Sequence, residues 1–338
     1  MSNRYLPDYS VGNQTSRRRF LKQSVAVCAG ITGTLNSPAT AEEKKDKAVT
    51  DSIPVVDTHQ HLWDLKLVKL PWLSGAPEVL KRDFVMSDYL SATKNANIAK
   101  TVYMEVNVDP SMQTKEAEYV IRLCEADDNP MAAAVIGGSP GEKSFRDYIT
   151  PLAKNKYIRG VRTVLHDPDR PKGMCLTDTF VNNIKLLGDL GLSFDLCMRP
   201  DEISDGVALA KRCRQTRLII DHCGNMSVTS TDQALRSKWM DGMKAAAQQD
   251  NTLCKISGIV VTAKKGEWKP GDLAPNMNFC MDTFGVDRIF FGGDWPVCTI
   301  TSTYQQWVDA LRTIVKDRSP EFQRKLFHDN AVRYYGLK

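Results

Sequence analysis

From residue 54 onward, short β-branched or apolar runs alternate with longer amphipathic segments, and this happens eight times. The runs cover 54–62, 100–107, 132–137, 158–165, 193–199, 217–223, 252–257 and 288–293. Between them apolar residues recur at helical spacing: Ile184, Leu187 and Leu190 share one side of 178–190, and Val207, Leu209 and Ala210 mark 201–214. Strands that alternate with helices pair in parallel, because a parallel connection needs a crossover long enough to hold a helix. Eight such units in roughly 250–300 residues fit a (β/α)8 TIM barrel better than an open doubly wound α/β sheet. One catalytic domain over 54–338 is the simplest division, with a charged, small-residue linker at 42–53 and no internal repeat.

Residues 1–41 carry a different signal. Ser16-Arg17-Arg18-Arg19-Phe20-Leu21-Lys22 precedes a modest apolar run and then Ala39-Thr40-Ala41, the order of a basic, apolar and cleavable export signal. The paired arginines before Phe-Leu-Lys match a twin-arginine signal, so the twin-arginine export machinery is an expected partner and the periplasm or the exterior the expected location. The apolar run is shorter than the about 20 residues a bilayer span needs, so no stable membrane anchor is expected. Five basic residues against Asp8 give this segment a net +4 of the chain's +5, leaving +1 for the rest. The basicity therefore belongs to targeting, and nucleic acid is not an expected partner. Eight cysteines follow Cys28, none in a C-x-x-C pair and most in apolar runs, so buried free thiols are expected.

In a barrel the chemistry sits at the C-terminal ends of the strands. The first run ends Asp57-Thr58-His59-Gln60-His61, and strict alternation would put Asp57, His59 and His61 on one face. The second carries Glu105 in an apolar setting, the fourth holds Arg159 and Arg162 with His166 just beyond, the sixth ends Asp221-His222-Cys223-Gly224, and the eighth ends Gly292-Gly293-Asp294-Trp295-Pro296. Asp57 reads as a residue that orients a histidine or caps a neighbouring segment, and Glu105 as either a site residue or the partner of Arg159 or Arg162. Gly137-Gly138-Ser139-Pro140-Gly141 satisfies G-x-S-x-G, but the residue after a nucleophilic serine must donate its amide to the oxyanion, and Pro140 has no N–H.

H-x-H on the first strand, a histidine ending the sixth and an aspartate ending the eighth resemble the amidohydrolase superfamily. Lys255-Ile256-Ser257-Gly258, Gly293-Asp294-Trp295-Pro296-Val297 and the closing stretch from Asn330 to Leu337 extend the likeness to its lactonase branch, over about residue 54 to the C-terminus. The resemblance implies a (β/α)8 barrel and hydrolysis of a lactone in a sugar-acid or aromatic-acid substrate. Strand five offers no histidine and strand four no bridging lysine, so a two-metal site is not expected. One divalent metal, zinc by donor type, is expected on His59, His61, Asp294 and Glu105, with His222 as ligand or hydrogen-bond donor. The branch contains both metal-dependent and metal-free members, so a metal-free mechanism stays open.

Lactone opening needs water deprotonated, the carbonyl polarised and the leaving oxygen protonated. Asp294 is assigned as general base, and His59, His61 and His222, or a metal they hold, as stabilisers of the oxyanion. Arg162, with His166 and Arg199, is a candidate to bind a carboxylate or hydroxyls of a small lactone or carboxylate substrate, and Trp295 a candidate wall for its ring. Two rival readings remain: a decarboxylase or hydratase on the same kind of barrel, and an exported carbohydrate-binding protein without catalysis.

Overall fold

The computed structural model describes residues 53–338; the expected signal segment 1–41 and all but the last residue of the linker lie outside the described residues. Eight parallel strands follow one another around a barrel: β1 Val55–Gln60, β2 Ile98–Met104, β3 Met131–Gly137, β4 Ile158–Val164, β5 Ser193–Cys197, β6 Leu218–Ile220, β7 Thr252–Ile256 and β8 Ile289–Phe291. Each sequence run holds one strand. β6 and β8 are shorter than their runs; just past them His222, Cys223 and Asp294 take left-handed backbone angles, φ 52°, 53° and 54°.

The helices that matter here are α1 Met86–Thr93, α2 Gln113–Glu125 and α3 Tyr304–Val315, which pack their apolar sides on the strands. Inside the barrel, Val56, Val102, Met104, Val135, Ile219, Leu253 and Phe290 fill the N-terminal half. Ala331, Tyr335 and Leu337 of the C-terminal segment close that end from below, so access is left to the opposite mouth. Among the described residues, no helix is long and apolar enough to cross a membrane. The eight described cysteines are buried and unbridged.

Closure between β1 and β8 rests on a few bonds at and just past the C-terminal end of β8. Thr58 Oγ1 donates to the Phe291 carbonyl at 2.6 Å, the Asp294 amide to the His59 carbonyl at 2.7 Å, and the His61 amide to the Trp295 carbonyl at 2.8 Å. The seam that shuts the barrel is therefore built from the candidate site residues themselves.

Candidate active site

Strict alternation along β1 fails at one place. The register against β2 shifts between Asp57 and Gln60, and this bulge turns Asp57 away from the face that His59 and His61 share. Asp57 points into the helix layer, where its carboxylate accepts from Tyr89 and Tyr304 hydroxyls at 2.9 Å each, the Gly293 amide at 2.7 Å and the His59 amide at 3.0 Å. Burial pushes its carboxyl up, and these four donors oppose the shift. Asp57 thus clamps β1, β8 and two helices together behind the site.

The clamp needs glycine at 293. A Cβ there would lie 2.4 Å from the Tyr304 ring and 2.5 Å from Asp57 Oδ2. Gly293→Ala is expected to cost about 1–3 kcal/mol, as overpacking does, and to displace the adjoining Asp294. Urea unfolding checks the first effect; a midpoint equal to wild type would show that the clamp gives way without cost.

His59, His61, His222 and Asp294 converge at the mouth. Asp294 Oδ1 lies 3.2 Å from His61 Nε2 and 3.6 Å from His59 Nε2. The His59 ring centroid is 4.8 Å from that of His61 and 4.5 Å from that of His222. His61 Nδ1 sits 3.0 Å from the carbonyl oxygens of Met104 and Glu105, so that nitrogen carries a proton and donates, leaving Nε2 for the site. His222 Nδ1 lies 2.9 Å from Ser257 Oγ, and the ring presses on Gly258, where a Cβ would be 2.2 Å from that nitrogen. Burial holds His59 well below the usual imidazole range, against the pull of Asp221, and lowers His222 against Asp294 and Asp221. Both rings are therefore neutral, the form that ligates a metal.

Beneath them lies a buried ionic network. Lys255 Nζ is 2.6 Å from Asp195 Oδ2, 3.0 Å from Asp221 Oδ1 and 3.3 Å from His59 Nδ1. Arg162 donates from Nε to Glu105 Oε1 at 2.6 Å, and its Nη1 lies 3.2 Å from His59 Nε2 and 3.5 Å from Asp221 Oδ2. Burial alone would raise Asp221, but Lys255 and His59 outweigh it and hold this carboxyl well below its ordinary range. Burial pushes Asp195 up to about 7 against Lys255, so Asp221 is the member held ionised.

Three expected placements are corrected. Glu105 does not face the metal-ligand cluster: Oε1 is taken by Arg162 and Oε2 by the Asn107 amide at 2.5 Å. Trp295 offers no wall, being 2% exposed with its ring edge-on to Phe84 and Tyr89 at 5.3 and 5.4 Å. Arg199 turns to Glu202 and to the carbonyls of Asp167 and Arg170, which fixes the loop after β4. His166, by contrast, stays near the cluster, half-buried, with Nδ1 3.3 Å from Cys197 Sγ; burial, then His222 and Arg162, lower it to about 4. Sequence reasoning passed over Lys255 and Asp221 as individual site residues. The signal was available, since a lysine inside the apolar run Thr252–Ile256 is as costly to bury as Glu105.

Glu116, on α2, completes this side by accepting from the Tyr103 hydroxyl at 3.0 Å and the Val106 amide at 2.9 Å, both through Oε1. Burial, then Glu105, push it from 4.5 to about 7. A folded-state pKa raised above the unfolded one means that stability is lost as pH climbs through that interval. Glu116→Gln keeps Oε1 and cannot ionise, so its stability relative to wild type should rise by on the order of 1–3 kcal/mol between pH 5 and pH 8. Urea melts at the two pH values test this, and an unchanged difference between the proteins would refute it.

Among the described residues, two sets of three donor atoms lie within 4.8 Å of one another: His59, His61 and Asp294, and His59, Asp221 and His222. Neutral imidazoles with a carboxylate suit a divalent cation such as zinc. Two observations fit one. His61 Nε2 and Asp294 Oδ1 are both acceptors when the ring is neutral, and face each other at 3.2 Å. Neither Asp221 oxygen makes a hydrogen bond of ordinary geometry among the described residues.

The family model described as Amidohydrolase matches residues 56–337. The chain belongs to this family. Among its relatives, L-fucono-1,5-lactonase of Burkholderia multivorans is 24% identical over 299 residues, covering 83% of this chain and 96% of that one. An uncharacterised protein, y4mH of Sinorhizobium fredii, is 28% identical over 305 residues, covering 84% and 99%. Among solved structures, a Burkholderia multivorans amidohydrolase with bound zinc superposes with a TM-score of 0.75 at 21% identity, over 84% of this chain and all of that one. The 5-carboxyvanillate decarboxylase of Novosphingobium aromaticivorans, with bound manganese, does so at 0.60 and 13%, over 85% and 98%. These likenesses establish the amidohydrolase barrel for this chain.

Proposed function

We propose that this amidohydrolase is a lactonase that opens a small, neutral, hydroxylated lactone with water. The observation that carries the reading is the convergence of three imidazoles on the Asp294 carboxylate at the only barrel end not plugged by the C-terminal segment among the described residues. The lactonase relatives support the reaction class.

Beside the cluster, between the ends of β2, β3 and β4, lies a chamber of about 180 Å³ lined by Trp72, Glu105, Asn107, Gln113, Arg162 and Arg170, among others. This is below the about 300–1,000 Å³ of pockets for drug-sized ligands, and suits one small ring. Its charges are balanced: Arg162 is paired with Glu105, and Arg170 lies beside Asp167. A dicarboxylate would need cations that these carboxylates already occupy, whereas hydroxyls suit amides and paired ions. A larger groove of about 680 Å³ lies between the loops after β7 and β8, lined by Trp268, Thr299 and Thr303 among others, but none of the candidate catalytic residues reaches it.

In the reaction, Asp294 takes a proton from water as its oxygen bonds to the lactone carbonyl carbon. The ring C–O bond then breaks, and Asp294 returns the proton to the departing alkoxide, giving a hydroxy acid. His222, whose Nδ1 is held by Ser257, can turn Nε2–H to the oxygen on which charge develops. A divalent cation held by His59, His61 and Asp294 would polarise the carbonyl. Arg162, fixed by Glu105, and His166 border the substrate. The Arg17-Arg18 motif supports action after twin-arginine export.

The test is a pH-indicator assay of purified protein against sugar 1,4- and 1,5-lactones, a pyrone dicarboxylate and aromatic carboxylic acids. Acid release from neutral sugar lactones is expected. Carbon dioxide from a carboxylic acid, with every lactone untouched, would overturn the reading in favour of decarboxylation.

A further inference from the structure

Lys255 is fully buried on β7, where its ammonium lies 2.6 Å from Asp195, 3.0 Å from Asp221 and 3.3 Å from His59 Nδ1. His59 Nδ1 also lies 3.5 Å from Asp221 Oδ1, so the inner edge of the ring rests on the Asp221–Lys255 pair. From the other side Arg162 approaches Asp221 Oδ2 at 3.5 Å. The Asp221 carboxylate is thus spanned by two cations while neither oxygen makes an ordinary hydrogen bond among the described residues. Its position depends on the ion pair rather than on a hydrogen-bond lattice.

We propose that Lys255 is a positioning residue: acting through Asp221, it holds the His59 ring so that Nε2 faces Asp294, and thereby sets the affinity of the site for a divalent cation. The inference rests on the lactonase reading only for its meaning in turnover. A buried ion pair is weak support for stability, since apolar side chains of similar volume would serve as well or better. What Met at 255 could not supply is a fixed carboxylate behind His59. With Nδ1–H turned to Asp221 at 3.5 Å, Nε2 is left unprotonated between Arg162 Nη1 at 3.2 Å and Asp294 Oδ1 at 3.6 Å; without that carboxylate, both tautomers of the ring become comparable.

Lys255→Met alone leaves Asp195 and Asp221 facing each other without a countercharge, a cost that falls on folding itself. The decisive variant is therefore Lys255→Met with Asp195→Asn, which removes the pair together, alongside Asp221→Asn. Two readouts are taken on full-length protein of unchanged circular dichroism: zinc affinity by chelator competition, and the ¹⁵N signals of the His59 ring in metal-free protein. We expect zinc affinity to fall about 10- to 100-fold in both variants, and no further when they are combined, because one path carries both effects. The His59 signals should change from the Nδ1–H form to a mixture. Wild-type affinity and wild-type His59 signals in the folded double variant would overturn the proposal. Failure to hydrolyse any lactone would count against the reaction assigned above and leave these two readouts to decide the role of Lys255.

Discussion

Asp294→Asn is expected to lower kcat on every accepted lactone by about 10²–10⁴-fold, the range supplied by a positioned general base. The substitution is close to isosteric, and the residue's φ of 54° is one that asparagine tolerates better than most side chains. Its backbone bond to the His59 carbonyl, 2.7 Å from the Asp294 amide, does not depend on the side chain and should persist. What disappears is the anionic oxygen that lies 3.2 Å from His61 and 3.6 Å from His59, the only candidate proton acceptor facing both rings among the described residues. The loss should therefore appear in kcat, with a melting temperature no lower than that of metal-stripped wild type. Turnover of a sugar lactone by the folded variant at the wild-type rate would end the assignment of Asp294 as base.

Much of this site could be read before any coordinates because polar residues at the ends of apolar strand runs have few structural uses. His59, His61, His222 and Asp294 stood out for that reason, and they meet. The residues that were misplaced share a different cause. Glu105 has the right position and charge for a ligand, but Arg162, one strand-pair away in β4, claims Oε1 at 2.6 Å, and no pattern local to β2 reports that. Trp295 follows Asp294, yet the turn that aims the aspartate inward sends the indole under Phe84 and Tyr89. The face of Asp57 was lost to a bulge, which a period of two cannot contain. The eight-unit barrel survived all of these, since it depends on the repeated alternation of strand and helix rather than on any one side chain.

The buried charges carry a consequence for metal dependence. Asp195, Asp221, Glu105 and Asp294 are carboxyls with almost no exposure, and among the described residues the cations paired with them are Lys255 and Arg162. Burial pushes Asp195 toward its protonated form, which relieves one charge. The contact between His61 Nε2 and Asp294 Oδ1 then remains to be balanced by a proton on the ring or by a cation between the two groups.

Removal of bound metal by chelation is accordingly expected to lower kcat/KM by about 10²-fold or more, the several kcal/mol that carbonyl polarisation contributes. It should also lower thermal stability, since a ligand present at about 100 times its Kd adds roughly 2.7 kcal/mol to the folded state. Burial keeps His59 and His222 neutral, so protons should not displace a cation from these two nitrogens anywhere near neutral pH. Elemental analysis of the stripped protein, assayed before and after zinc or manganese is returned, gives the answer. Restored activity with one equivalent of metal fits His59, His61 and Asp294 as its ligands. Full activity in verified metal-free protein would instead require a protonated His61 to balance Asp294, and oxyanion stabilisation would then fall to the imidazoles and Arg162 alone.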